Sequence, residues 1–117
     1  MGRWIAVAKA TDLSQGGRTL LTVEGKSIGL FHLGDEIVAV LNLCPHELAP
    51  VCRGHLGGTT LPSRPDQPRQ WGRDGEILSC PWHGWEFDLR NGKCLTDRRS
   101  LKRYPTRVRD NNIEIEL

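Results

Sequence analysis

The stretch LSCPWHGWEFDL, residues 78–89, determines how the rest of the sequence is interpreted. Between Cys80 and Trp85 it holds a thiol, an imidazole, a proline and two tryptophans. A core strand does not normally contain a proline, and a surface loop does not normally contain two tryptophans. The mixture indicates a binding loop whose second half lies elsewhere in the chain.

A second segment of the same kind precedes it. In CPH, Cys44 and His46 are separated by one residue, and in CPWH, Cys80 and His83 are separated by two. Each cysteine follows an apolar, strand-like run and stands directly before a proline. If the two loops converge, they offer two thiolates and two imidazoles, a ligand set that suits either zinc or an iron–sulfur cluster.

The distribution of these ligands between the loops favours iron–sulfur chemistry. Zinc fingers usually pair Cys with Cys and His with His, whereas each loop here mixes the two. A binuclear cluster with two different irons explains the mixture, because two thiolates can hold one iron and two imidazoles the other. A structural zinc module remains the alternative, and it would be colourless.

The pair CPH and CPWHGW closely resembles the motif of Rieske [2Fe–2S] proteins, in the form found in the ferredoxins and oxygenase components of bacterial ring-hydroxylating dioxygenase systems. The resemblance extends over most of the chain, including WEFDLRNGKCL and YPTRVRDNNIEIEL. It implies one Rieske-type [2Fe–2S] cluster, with Cys44 and Cys80 on the inner iron. His46 and His83 would bind the outer iron, nearer the surface.

The residues beside these ligands are expected to support the cluster. Pro45 and Pro81 stiffen the two loops by fixing φ. Gly84 lets the backbone approach a bridging sulfide, to which its N–H can donate a hydrogen bond. Trp82 and Trp85 are expected to pack beneath the loops and keep water off the cluster.

Two positions separate this chain from Rieske proteins of respiratory and photosynthetic complexes. The Rieske proteins of these complexes, which this chain also resembles, carry an extra cysteine in each loop, and the two cysteines form a disulfide. They also carry a serine directly after the His-Gly pair. Here Trp82 and Trp85 occupy the corresponding positions of the second loop. Fewer donors to the sulfurs favour the oxidised cluster, so we predict a low potential of roughly −150 to 0 mV.

The first loop and the gap after it also depart from the resembled ferredoxins. Those often read CPHRGAPL, whereas this chain has CPHELAPV, with Glu47 and Leu48 at the changed positions. The charge of Glu47 is expected to lower the potential further and to alter the docking surface. The gap of 33 residues between His46 and Cys80 is long for the family, which leaves the redox partner open.

Period-two patterns run through most of the sequence and predict eight to ten short strands. One small all-β domain, a Rieske-type antiparallel barrel or sandwich, accommodates them in residues 1–117. We expect a base barrel formed by about 1–42 and 93–117, and a cluster-binding lobe over about 43–92. Within the lobe, the proline-rich insertion at 55–74 reads as a long surface excursion.

The C-terminal segment alternates apolar and charged residues and predicts a hairpin. A turn through residues 110–112 would set Arg107 and Arg109 across from Glu114 and Glu116.

The resemblance implies a Rieske ferredoxin, an electron carrier between a flavin-dependent reductase and a terminal oxygenase, with no catalytic site of its own. Beyond the quartet only His32 and His55 remain, too few for the separate mononuclear iron domain of an oxygenase. A G-x-G-x-x-G motif for a nicotinamide or flavin cofactor is absent. A small subunit of a nitrite reductase is the alternative, although many such subunits lack the ligands.

The remaining features give negative or modest indications. A net charge of +2 gives no argument for nucleic acid. The chain shows neither a signal peptide nor an apolar run long enough for a membrane span, so we expect a cytoplasmic protein. Cys52 and Cys94 are interpreted as free buried thiols, His32 and His55 as packing or surface residues, and Trp4 as part of the core.

Overall fold

The computed structural model is built from strands, and the part of the chain that it describes contains two single-turn 3₁₀ helices, Ala10–Asp12 and Val51–Arg53. It describes residues 3–34, 36–45, 49–60, 65–66, 68, 71–81 and 84–117, except for the side chains of 59–60 and 71–74. Its strands are β1 Trp4–Lys9, β2 Arg18–Val23, β3 Lys26–Leu33, β4 Glu36–Leu41, β5 His55–Thr60, β6 Trp71–Ser79, β7 Glu86–Asp88, β8 Arg103–Tyr104, β9 Thr106–Arg109 and β10 Asn112–Glu116.

Three antiparallel sheets contain these strands, in the orders β2-β3-β4-β8, β1-β10-β9 and β5-β6-β7. The all-β fold predicted from the sequence is therefore confirmed. Among the residues that the structure describes, no helix is long and apolar enough to cross a membrane.

The strand pair β3-β4 separates two apolar cores. Phe31 and Val38 pack into a core that contains all four cysteines, which we call the thiol core. Leu30 and Ala39 pack with the C-terminal strands in a second core, which we call the hairpin core. Because side chains alternate between the faces of a strand, both faces of β3 are covered, and its sequence reads as the near-continuous apolar run GLFHL.

The C-terminal hairpin forms as predicted, but its turn is one residue shorter than expected. Arg107 lies opposite Glu114 and forms an ion pair with it. Arg109 lies opposite Asn112, so the prediction that it faces a glutamate is wrong. The reason is a two-residue turn at 110–111, where both residues have positive φ, as two-residue hairpin turns require.

The segment 55–74 differs from the expected surface excursion at both of its ends. Its first six residues form β5, and its last four belong to β6. The two strands pair with each other, with Leu56 opposite Leu78 in the thiol core. The sequence HLGGTT has little strand propensity of its own, so long-range packing decides its conformation. Residues 61–64, 67 and 69–70 lie outside the described residues.

Three single-residue interpretations can be compared with the structure. Trp4 is half-buried and not in a core as expected; its ring lies 4.1 Å from the Arg107 guanidinium carbon. Trp4 sits on the first strand of its sheet, where a cation–π contact replaces apolar packing on one face. His32 is half-buried, with Nδ1 3.0 Å from the Leu13 carbonyl oxygen, and His55 is exposed. Both histidines agree with packing and surface roles.

Candidate metal centre

The two loop cysteines, Cys44 and Cys80, lie at the inner ends of their loops. Cys44 follows the end of β4 and is fully buried, and Cys80 directly follows β6 and is 3% exposed. Both belong to the thiol core, and neither forms a disulfide. The fold therefore brings two cysteine side chains from distant parts of the chain into one buried, apolar region.

Each of the two loops is closed by a backbone hydrogen bond, and the two bonds are equivalent. The Cys44 N–H donates to the carbonyl oxygen of Ala49 at 2.8 Å, and the Cys80 N–H donates to that of Trp85, also at 2.8 Å. Each bond spans five residues and joins the beginning of a loop to its end. The similarity of CPH and CPWH in sequence thus extends to backbone structure, and we refer to residues 44–49 and 80–85 as the Cys44 loop and the Cys80 loop.

Gly84 shapes the Cys80 loop through its backbone conformation. Its φ is +70°, a left-handed conformation that side chains other than glycine's adopt only at a cost. A Cβ atom at this position would meet nothing within 4 Å, so conformation and not space requires glycine. The Gly84 N–H donates to the Cys80 carbonyl oxygen at 2.9 Å. This bond lies inside the loop, and the hydrogen bond from Gly84 to a sulfide stays a prediction from the sequence.

Trp85 closes the Cys80 loop on the side of the protein interior. It is half-buried and packs against the thiol core, and the Arg99 guanidinium carbon lies 5.4 Å from the centre of its ring. Of the two prolines that follow the loop cysteines, Pro45 is half-buried and Pro81 is exposed. Trp85 agrees with the expected packing beneath the loop.

The predicted imidazole ligands cannot be placed in the same way. His46, His83 and Trp82 lie outside the described residues, as do Glu47 and Leu48. Their roles remain predictions from the sequence.

The Cys44 loop rests on the 3₁₀ turn Val51–Arg53, which two distant side chains hold in place. The Asn42 side-chain oxygen accepts a hydrogen bond from the Cys52 N–H at 2.8 Å. The Arg18 guanidinium donates to the carbonyl oxygens of Cys52 at 3.0 Å and Gly54 at 2.6 Å. Sequence analysis missed Arg18 and Asn42, because nothing local marks them: each acts on backbone that only the fold brings near.

Gly54 connects the two loops. It follows the 3₁₀ turn, and a Cβ atom there would lie 1.8 Å from the Ser79 carbonyl oxygen. Ser79 is the residue directly before Cys80. The backbone that supports the Cys44 loop is therefore in close contact with the strand that enters the Cys80 loop, and only glycine permits this approach.

The other two cysteines have the environment of packing residues. Cys52 is fully buried, and this burial raises the pKa of its thiol to about 12. Its sulfur lies 3.8 Å from the Val40 carbonyl oxygen. Cys94 is 7% exposed, and its sulfur lies 3.8 Å from the Thr96 hydroxyl. Neither forms a disulfide, which confirms their interpretation as free buried thiols.

The described donors fit a soft metal centre. Thiolate sulfur prefers soft or borderline metals, including the irons of iron–sulfur clusters. The surrounding thiol core excludes water, which is one of the factors that set the potential of such a cluster. Cys44 and Cys80 meet this requirement, since both are buried, form no disulfide and are held at equivalent places in two matched loops.

Comparison with known proteins agrees with this geometry. The chain is 29% identical over 117 residues to the ferredoxin component of the naphthalene 1,2-dioxygenase system of Pseudomonas putida, covering 98% of this chain and 96% of that one. It is 36% identical over 92 residues to the 3-phenylpropionate/cinnamic acid dioxygenase ferredoxin subunit of Photorhabdus laumondii, covering 77% of this chain and 72% of the relative.

Two solved structures share the fold over almost the full length of the chain. The ferredoxin of carbazole 1,9a-dioxygenase from Nocardioides aromaticivorans IC177 superposes with a TM-score of 0.72 at 24% identity, covering 96% of this chain and 95% of that one. A protein assigned as an NADH-dependent nitrite reductase small subunit from Mycobacterium tuberculosis superposes with a TM-score of 0.74 at 26% identity, covering 100% and 96%. Residues 3–105 match the model of the Rieske [2Fe–2S] domain, so this chain belongs to that family and its cofactor is a Rieske-type [2Fe–2S] cluster.

Proposed function

We propose that this protein is a Rieske-type ferredoxin that carries single electrons from a flavin-dependent reductase to a terminal oxygenase. The observation that supports it most directly is the pair of buried cysteines, Cys44 and Cys80, which form no disulfide and stand at equivalent positions of two loops closed by equivalent hydrogen bonds. The bound cluster supplies the chemistry, because it accepts and releases one electron. The protein supplies the ligands, the exclusion of water and a docking surface.

The proposed ligands are the four residues of the paired motif. Cys44 and Cys80 hold the inner iron, in keeping with their burial in the thiol core. His46 and His83 hold the outer iron. Since that iron would lie nearer the surface, electrons would enter and leave on the histidine side of a bound cluster, and Trp82 with the two histidines would form the docking tip.

The relatives support this choice of partners. Both curated relatives are named as ferredoxin components of dioxygenase systems. By analogy, this protein passes electrons to the oxygenase of such a system and has no catalytic site of its own. The free thiols Cys52 and Cys94 suit a reducing compartment, so we place the carrier in the cytoplasm.

A small subunit of a nitrite reductase is the second candidate. It is favoured by the 26% identity and full coverage of the structure from Mycobacterium tuberculosis. The presence of both thiols and both histidines in the sequence favours the ferredoxin. Electron delivery to a purified terminal oxygenase, compared with delivery to a purified nitrite reductase large subunit, distinguishes the two.

Electron paramagnetic resonance of the dithionite-reduced protein tests the proposal. We expect an average g value below that of all-cysteine clusters, a red-brown oxidised protein and a midpoint potential of roughly −150 to 0 mV. A colourless protein with bound zinc would overturn the cluster assignment. A midpoint above roughly +150 mV would overturn the assignment to the low-potential class while leaving the cluster itself intact.

Replacing Trp82 with Ala tests the proposed docking tip. We expect slower electron transfer to the partner protein with little change in iron content. Unchanged transfer rates would contradict a docking tip that includes this side chain.

A further inference from the structure

The segment 93–99, KCLTDRR, forms an ordered strap beside the Cys80 loop; we call it the basic strap. The Leu95 N–H donates to the Glu86 carbonyl oxygen at 3.0 Å, which ties the strap to the first residue of β7. Glu86 directly follows Trp85, the last residue of the Cys80 loop. The Arg99 guanidinium adds a second tie through its contact with the Trp85 ring.

Two internal hydrogen bonds brace the strap. The Cys94 N–H donates to the Arg99 carbonyl oxygen at 3.1 Å, and the Arg99 N–H donates to the Asp97 carboxylate at 2.9 Å. The Cys94 side chain is buried beneath it in the thiol core. A surface that is already ordered loses less conformational entropy when a partner binds.

The outer face of the strap combines positive charge with an exposed apolar side chain. Lys93, Arg98 and Arg99 are exposed, and Leu95 is 38% exposed, one of the few large apolar side chains on the described surface. Asp97 is the only acidic residue of the strap, and it lies 3.8 Å from the Arg99 guanidinium at a wet site where an ion pair is weak.

These charges belong to a wider asymmetry. Residues 90–109 contain eight of the 16 basic residues of the chain but one of its 14 acidic residues. Elsewhere in that range, Arg90, Arg103 and Arg107 form ion pairs with glutamates. Within the part of the chain that the structure describes, Lys93, Arg98, Lys102 and Arg109 have no such pair. Two of these four charges, Lys93 and Arg98, lie on the strap next to the Cys80 loop.

We propose that the basic strap is the docking surface for an acidic face of the protein that donates electrons to this carrier. This inference rests on the proposed function. Interfaces between redox proteins are small and short-lived, so the buried area gives only a modest affinity. Complementary charge instead raises the rate at which the two proteins associate.

We assign the electron donor, and not the acceptor, to this surface because the charge of the carrier changes when it is reduced. In the transfer, the reduced flavin of the donor would lose one electron and a bound cluster would take it up, with no bond formed or broken. This uptake would add one negative charge to the carrier. An acidic donor beside the basic strap is therefore attracted more strongly by the oxidised carrier than by the reduced one, which favours release after transfer.

Charge reversal at Arg98 tests the inference, with Arg109→Glu as the matched control. Both arginines are exposed, but Arg109 ends β9 in the C-terminal hairpin. The probe is a purified flavin-dependent ferredoxin reductase that reduces the wild-type holoprotein, and stopped-flow absorbance gives the second-order rate constant. We expect Arg98→Glu to lower it by about 3- to 10-fold at low salt, with the difference vanishing at about 1 M salt. Arg109→Glu should stay within about twofold of wild type.

Further measurements separate the failure of this inference from the failure of the proposed function. Equal rates for the two variants, or a faster Arg98→Glu, would overturn the docking surface. A slower delivery of electrons from the Arg98→Glu variant to a terminal oxygenase, with normal reduction by the reductase, would assign the strap to the acceptor and overturn the inference. Absence of a Rieske signal in the wild-type protein would instead overturn the proposed function.

Two controls accompany these measurements. Dithionite reduction of each variant must yield the wild-type spectrum. Lys93→Glu provides a second charge reversal on the same surface.

Discussion

The Cys44 loop and the Cys80 loop begin with the same residues and close with the same hydrogen bond, yet they are supported differently. The Cys80 loop largely supports itself: Gly84 adopts positive φ and returns a hydrogen bond to Cys80. The Cys44 loop has no positive-φ residue among its described residues 44–45 and 49, and it rests on a 3₁₀ turn held by Arg18 and Asn42. One thiol is thus positioned by local backbone geometry and the other by tertiary contacts.

The largest expected effect tests whether the loops are equivalent as ligand donors. We expect both Cys44→Ala and Cys80→Ala to abolish the cluster, because each removes one of two thiolates from the same iron. Iron content and the visible spectrum of the purified variants measure this loss. The matched control is Cys94→Ala, which removes a buried thiol outside the loops and should retain the cluster. Retention of a normal cluster in either loop variant would break the equivalence.

The next effect concerns the contact that joins the loops. In Gly54→Ala, the new methyl group would collide with the Ser79 carbonyl, where no flexible side chain can move aside. We expect the free energy of unfolding to fall by about 3 kcal/mol, at the upper end of the range for overpacking. Urea denaturation of the holoprotein measures it. Gly75→Ala is the control: its φ is +83° and its surroundings are open, so it should lose only about 1 kcal/mol. Equal losses would show that the close contact does not hold the loops together.

A smaller effect is specific to the Cys80 loop. Gly84→Ala forces a side chain into positive φ but meets no neighbouring atom, so we expect a loss of about 1–2 kcal/mol. Gly84→Asn should lose less, because asparagine tolerates this conformation better. The two variants are compared by urea denaturation of the holoprotein. If Ala and Asn behave alike, backbone conformation is not what requires glycine here.

The smallest effect is a pH dependence on the Cys44 side. Burial holds the folded-state pKa of Cys52 at about 12, above its value of 9.0 in the absence of burial. Between these two values the unfolded chain loses the thiol proton and the folded chain keeps it. Stability contributed by Cys52 is therefore complete below pH 9 and falls by about 1 kcal/mol per pH unit above it. Urea denaturation at pH 8 and pH 10 should show this fall in wild type but a shallower one in Cys52→Ala; identical slopes would exclude Cys52 as the cause.

Much of the fold can be predicted from the sequence because the relevant signals are local. The apolar runs of β2, β3 and β4, with glycines at the turns between them, predict three consecutive strands before any contact is known. The paired motif likewise identifies Cys44 and Cys80, and the structure places both in one core. The incorrect predictions share a different cause. The glycine-rich β5, the half-buried Trp4 and the pairing of Arg109 with Asn112 depend on partners far away in sequence or on the length of a turn.

The sequence by itself determined the all-β class, the family and the identity of the candidate ligands, because strand periodicity and the CPH and CPWHGW motifs are carried by neighbouring residues. Only the tertiary structure decided how the Cys44 loop is supported and what lies beside the Cys80 loop. Arg18 reaches the 3₁₀ turn from β2 and Asn42 reaches it from just after β4. Gly54 meets Ser79 across two segments, and the basic strap lies beside the Cys80 loop. These contacts join residues that are not neighbours in the chain. A local sequence pattern therefore does not show that they meet in the folded protein.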